Sequence, residues 1–264
     1  GRLDHRGGPG RLRSLGAPGG LMLRLFLVAV AIIPATVWHG ARVLWHAWRG
    51  APVSSPVYDE APRRWSRLIL ALSGVRIELE NAEAIDPTRP QILVANHTSW
   101  YDVLALAGHL PGRFVFVAKR ELESVPIFGR AAAACGQIFI DRQDRAAAIE
   151  SLDRARRSLE ETRPTVIMFP EGTRSPDGRL RAFKKGAFVL AIQAGVEVVP
   201  AAISGSHEVM RKGSLLIRPG TITVRFGEPI DVSGFAVDDR NELTERAWQA
   251  LAALQATRSL KEPT

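Results

Sequence analysis

The run Asn96-His97-Thr98-Ser99-Trp100-Tyr101-Asp102 sets an imidazole and a carboxylate five residues apart, directly after the apolar run Gln91-Ile92-Leu93-Val94-Ala95. The pattern predicts His97 at a strand-to-helix corner, with Ser99 capping a helix that begins at Trp100. Asp102 then falls in the first helical turn, where its carboxylate can turn back to the imidazole. A carboxylate on one ring nitrogen fixes the tautomer and raises the basicity of the other. That other nitrogen can take a proton from an alcohol as the alcohol attacks. A second reading fits the same residues: Ser99-x-x-Asp102 has the spacing of a capping box, in which Asp102 bonds backbone amides. No Gly-x-Ser-x-Gly elbow accompanies the pair. Ser99 reads as a cap, and Cys135, among small residues, as a buried hydrophobe. A His–Asp pair without a nucleophile suits direct attack on an acyl donor that is already activated, such as a thioester.

Cations and a glycine turn recur at later strand ends. Phe169-Pro170-Glu171-Gly172-Thr173-Arg174-Ser175 follows the apolar run 165–168. Gly172 lets the backbone approach a ligand closely, and Arg174 offers a planar donor fork suited to phosphate. Glu171 can accept from an alcohol or hold an Arg in place. Arg142 ends Gly136-Gln137-Ile138-Phe139-Ile140-Asp141-Arg142, and Lys119 closes 114–118. Each cation alone reads equally as a solvated surface charge. Three in equivalent positions beside a His–Asp pair point to a polar pocket for an anionic substrate. Lys184 and Lys185 read as a solvated helix start, and His109 and His207 have no evident partner. The six His show no metal-ligand spacing, so no metal is expected.

The elements that must position these groups alternate. Strands are predicted over 75–80, 92–95, 114–118, 137–140, 166–169, 198–203, 215–217 and 222–226. Helices are predicted over 63–73, 100–109, 127–134, 145–161, 183–193 and 242–256. This is the pattern of an α/β domain with a mixed, largely buried β-sheet flanked by helices, spanning 63–264. Loops at the strand ends then carry the chemistry.

The N-terminal end differs from the rest. Of the net charge of +8, six units fall in the first 50 residues, which hold seven Arg and one Asp. Such a basic end suits an anionic membrane surface. Nucleic acid is the weaker partner, because no recognised binding motif follows. Residues 1–20, rich in Gly, Arg and Pro, read as a disordered basic arm. Residues 21–50 read as a membrane-associated helix or helical hairpin. The run after Leu25 holds only about 13 apolar residues, short of the roughly 20 that span a bilayer, and Trp45, Trp48 and the basic residues around them suit the headgroup level. A single tilted span or a cleaved signal peptide are the rival readings, the latter without an Ala-x-Ala site. Residues 51–62, with three Pro, read as a linker. One Cys excludes an intramolecular disulfide and makes a reducing compartment the default.

Taken together, four segments resemble one family. Residues 96–102 are similar to the His-x4-Asp motif of the glycerolipid acyltransferases, above all those acting on 1-acylglycerol-3-phosphate. Residues 136–142, 169–175 and 198–203 resemble their second, third and fourth blocks. Lys119-Arg120-Glu121-Leu122 and Pro126-Ile127-Phe128-Gly129 resemble the link between the first two. The resemblance implies transfer of a fatty acyl group from acyl-CoA or acyl carrier protein to the sn-2 hydroxyl of lysophosphatidic acid, giving phosphatidic acid. It implies His97 as base and Asp102 as its orienter. Lys119, Arg142 and Arg174 would receive the glycerol phosphate, and Glu171, Gly172 and Thr173 would shape that site. It implies no cofactor beyond the acyl donor, and a two-helix N-terminal motif seated at the cytoplasmic face of the cell membrane. Another lysolipid acceptor, a lysophospholipid or lyso-ornithine lipid, is the rival substrate.

Overall fold

The computed structural model describes residues 18–141 and 144–259. Helix α1 covers Pro18–Trp48 and α2 Val57–Leu72. Then follow β1 (Val75–Glu80), β2 (Gln91–Ala95), α3 (Trp100–His109), β3 (Phe114–Lys119), α4 (Phe128–Ala134), β4 (Ile138–Ile140), α5 (Arg145–Glu161) and β5 (Thr165–Met168). The chain continues through α6 (Gly186–Ala194), β6 (Val198–Ser204), the short α7 (Ser206–Val209), β7 (Gly220–Phe226) and α8 (Arg240–Ser259).

The strands form one seven-stranded sheet in the order β1-β7-β6-β2-β5-β3-β4. Every pairing is parallel except β6 with β7, so the sheet is mixed. β2 lies at its centre, between β6 and β5, and all five of its residues are buried. A strand covered on both faces is apolar throughout, and successive side chains serve opposite layers. Leu93 and Ala95 enter one core cluster with Ile69 of α2 and Leu106 of α3. Ile92 and Val94 enter the other with Leu159, Phe188 and Leu243, from α5, α6 and α8.

Several boundaries differ from expectation. The helix α1 begins at Pro18, inside the stretch read as a disordered arm; residues 1–17 lie outside the described ones. Residues 21–48 lie in one unbroken helix with no hairpin. Pro34 removes one backbone hydrogen bond without ending it. Within it Leu25–Trp48, 24 residues that include an 18-residue window of mean hydropathy 1.6, is by length and composition long and apolar enough to cross a membrane. Half of the expected linker is helical, because α2 starts at Val57 behind Pro56, with Asp59 and Glu60 in its first turn. Proline favours helix starts and acids suit the positive end of the helix dipole. Val57, Tyr58 and Ala61 then pack in a cluster with Val43 and Ala131. Gly40 allows α1 to approach the start of α4, since a Cβ there would meet Ile127 at 2.6 Å. The indole of Trp65 in α2 donates to Thr36 in α1 at 3.0 Å. Residues 215–217, read as a strand, belong to the irregular connection from α7 to β7. With no neighbour to pair with, an apolar triplet does not make a strand.

Candidate active site

The parallel register explains how distant segments meet. Val94 pairs with Met168, and Phe116 with Ile167. The chain therefore leaves β2, β5 and β3 at one edge of the sheet, which brings the His97 corner, the Phe169–Arg174 turn and Lys119 to the same side. Asn96 holds the corner to the sheet. Its side-chain oxygen accepts from the Ile203 amide at 2.7 Å, and its side-chain nitrogen donates to the Ile203 carbonyl at 2.9 Å, extending the β2–β6 ladder by one residue. The His97 carbonyl accepts from the Ser175 amide at 2.7 Å.

Asp102 is fully buried, and its Oδ2 accepts three hydrogen bonds. They come from His97 Nδ1 at 2.8 Å, the Thr98 amide at 2.7 Å and the Ser99 amide at 2.8 Å. Both readings of the sequence are therefore present at one atom: a capping box and a carboxylate on the imidazole. Because the carboxylate accepts, Nδ1 holds the ring proton and Nε2 is the basic nitrogen. The ring stacks on Phe169, with centroids 4.1 Å apart and planes 18° from parallel. Phe169 and Asp102 together leave the imidazole little freedom.

Glu171 is 5% exposed. Its Oε1 accepts from the His97 backbone amide at 2.7 Å, so it braces the corner from below and is not among the residues lining the cavity. Burial pushes its carboxyl up to about 7. The backbone amides of His97 and Arg181 oppose the rise, and the Asp102 charge adds to it. Gly172 has φ +73°, and a Cβ there would meet the Lys184 side chain at 2.8 Å. The turn thus requires glycine for its backbone, while the flexible end of Lys184 could move aside for a Cβ.

His97, Lys119, Gly172, Thr173 and Arg174 all border one cavity of about 830 Å³. The rest of its lining is largely apolar, including Leu25, Val28 and Ile32 of α1, Trp65 and Ile69 of α2, and Phe116. The Arg174 guanidinium lies over the exposed Trp100 ring at 4.8 Å. Lys119 stands at the rim, paired with Glu121 at 2.5 Å. Arg142 lies outside the described residues. Among the described residues, no group of three or more His, Cys, Asp or Glu is placed to hold a metal ion.

Three contributors had no assigned role in the sequence reading. Asn96 was part of the motif, but its pairing with Ile203 spans 107 positions. Phe169 showed only as an aromatic after an apolar strand. Lys212, which donates to the Arg174 carbonyl at 2.9 Å, had no signal beyond its charge.

The class defined by this fold and site is an α/β domain with an apolar N-terminal helix and a His–Asp pair opening on a largely apolar cavity that also carries two cations, Lys119 and Arg174. Residues 76–204 match the Acyltransferase family model. The chain is 39% identical over 171 residues to a 1-acyl-sn-glycerol-3-phosphate acyltransferase of Limnanthes alba, covering 65% of this chain and 60% of the relative. It is 37% identical over 180 residues to 1-acyl-sn-glycerol-3-phosphate acyltransferase alpha of Homo sapiens, covering 68% and 64%. The matches thus span somewhat under two thirds of the length of these relatives. The crystal structure of the 1-acyl-sn-glycerophosphate (LPA) acyltransferase PlsC from Thermotoga maritima is similar with a TM-score of 0.71 at 26% identity, over 88% of this chain and 96% of that one.

Proposed function

We propose that the protein acylates 1-acylglycerol-3-phosphate at its sn-2 hydroxyl, taking the acyl group from acyl-CoA or acyl carrier protein and yielding phosphatidic acid. The observation that carries this reading is that His97, held by Asp102, borders one cavity together with the cations Lys119 and Arg174 and a largely apolar wall. A phosphate on the rim, near Arg174 and Lys119, leaves the acceptor's acyl chain to run along α1 and α2. A smaller pocket of about 120 Å³, sharing Trp65, Phe116 and Phe128 with the main cavity, offers further apolar room.

His97 Nε2 removes the proton of the sn-2 hydroxyl as its oxygen attacks the thioester carbonyl. The tetrahedral intermediate collapses, the carbon–sulfur bond breaks, and the imidazolium returns the proton to the departing thiolate. Asp102 stabilises the imidazolium between these steps and holds its ring in position. No covalent acyl-enzyme is required, because the thioester is already activated. The placement is at the membrane, with the domain at the cytoplasmic face; α1 lies in one leaflet without crossing, so the Arg-rich N-terminal end stays on the domain's side, where basic residues are in excess.

Purified protein assayed with lysophosphatidic acid and acyl-CoA tests the reading. His97→Ala lowers kcat about 10²–10⁴-fold with an unchanged melting curve; a near-normal rate would sink the assignment. An acceptor panel tests the substrate. Equal use of a lysolipid without a phosphomonoester would overturn the choice of acceptor while leaving the chemistry in place.

A further inference from the structure

We propose that the connection 210–219, between α7 and β7, is a second membrane-seating element that binds an anionic bilayer surface and forms the lip of the cavity opposite α1. The proposal rests on the reading of α1 as a membrane helix.

The connection holds three cations, Arg211, Lys212 and Arg218, and no acidic residue. All three are exposed. Between them Leu215 is 71% exposed, among the most exposed large apolar residues outside α1. Its position is fixed rather than loose. Ser99 Oγ donates to the Met210 carbonyl at 2.7 Å, and the Arg218 amide donates to the Val209 carbonyl at 2.9 Å. The Leu216 amide donates to Ser214 Oγ at 3.0 Å, and Ile217 is buried in the core at 4% exposure. A leucine held outward by a braced backbone costs solvation unless something apolar receives it.

The receiving surface is indicated by continuity. Leu215, Met210 and Ile217 border the same cavity as Leu25, Val28 and Ile32 of α1. The outward side of that part of α1 carries Phe26 at 62%, Val30 at 55% and Ile33 at 68% exposure. The two elements are thus facing lips of one mouth. An apolar tip flanked by cations matches an interface in which hydrocarbon lies beneath anionic headgroups. Trp100, 43% exposed beneath the Arg174 guanidinium, adds an amphipathic ring on the same rim. Seated this way, the mouth opens towards lipid, and an acyl chain passes from bilayer to cavity without crossing water.

The test attaches an environment-sensitive fluorophore to Leu215→Cys. The native Cys135 is buried with its thiol pushed up to about 12, so it does not compete near neutral pH. Val30→Cys on α1 reports the helix. Asp238→Cys, fully exposed beside α8, reports the opposite face of the sheet. The full chain is added to vesicles of phosphatidylcholine with and without phosphatidylglycerol, some carrying lipid-borne quenchers. The expected result is a blue shift and quenching at position 215 on anionic vesicles, and neither at 238. Arg211→Gln with Arg218→Gln should raise the concentration of anionic vesicle lipid, at fixed composition, needed for half of that response by about five-fold per charge removed. A water-like signal at 215 while 30 responds overturns the proposal and leaves the α1 reading standing. Silence at both positions overturns both. An equal response at 215 on uncharged vesicles overturns the electrostatic part, and a response only when another protein is added replaces the bilayer with a protein partner.

Discussion

Asp102→Asn separates the two duties of the buried carboxylate. The amide oxygen of asparagine can occupy the position of Oδ2 and keep accepting from the Thr98 and Ser99 amides, so the helix cap survives. What disappears is the negative charge facing His97. Hydrogen bonds to a charged group contribute about 1.5–3 kcal/mol and neutral ones about 0.5–1.5. The two amide bonds therefore lose about 2 kcal/mol between them. This is an upper limit, because a neutral side chain no longer bears the cost of burying a charge at a fully buried position. For a chain of this size the melting temperature should fall by no more than about 4–8 °C. The rate responds on another scale. Losing the partner of the imidazolium should lower kcat about 10²–10⁴-fold, which is about 3–5 kcal/mol in the barrier. Asp102→Ala removes the cap as well and should cost about 1 kcal/mol more in stability, with a similar loss of rate. The assay is steady-state acyl transfer at saturating lysophosphatidic acid and acyl-CoA, with melting curves of the same samples. Asp102→Asn within three-fold of wild type, or a rate loss that only follows the loss of folded protein, would refute the orienting role and leave Asp102 a helix cap.

Two further predictions address the groups around the pair. Arg174→Ala should raise KM for the phosphate-bearing acceptor about 10–100-fold, the worth of one charged hydrogen bond, with kcat little changed; a loss confined to kcat would place Arg174 in the chemistry instead of in binding. Glu171 sits above its ordinary value of 4.5, at about 7. Between those two pH values the native state keeps a proton that the unfolded chain has released, so stability falls as pH rises through the window, by about 3 kcal/mol in all. Glu171→Gln should flatten that segment of the melting-temperature profile; an unchanged slope between pH 5 and 7 would show that Glu171 titrates normally.

The sequence revealed what is local. The helices Trp100–His109 and Arg145–Glu161 lie where periodicity put them, because each carries its own signals: Ser99 and Asp102 at one start, Asp144 at the other. The strand ends were legible for the same reason, since an apolar run that stops at a polar residue marks its own boundary. What escaped depends on pairing between distant segments. Nothing near Glu171 shows that it would turn inward to the His97 amide rather than outward to substrate, because that choice is made by the parallel register of β2 and β5. Nothing near Leu25 shows that α1 would wall the cavity holding His97.

The ambiguity at Asp102 has a different origin. Periodicity and spacing allowed a helix cap or a catalytic orienter, and these looked like alternatives because each needs a carboxylate at the third position of the helix. The geometry makes them one arrangement. A capping box draws the carboxylate back over the first turn, where Oδ2 meets the amides of Thr98 and Ser99. At a strand-to-helix corner that same point lies beside the side chain two residues before the cap, and here that side chain is His97, 2.8 Å away. The cap delivers the carboxylate to the imidazole with no further element needed to hold it. Spacing alone therefore could not have chosen between the two readings, since a carboxylate placed to cap the helix also lies beside the imidazole.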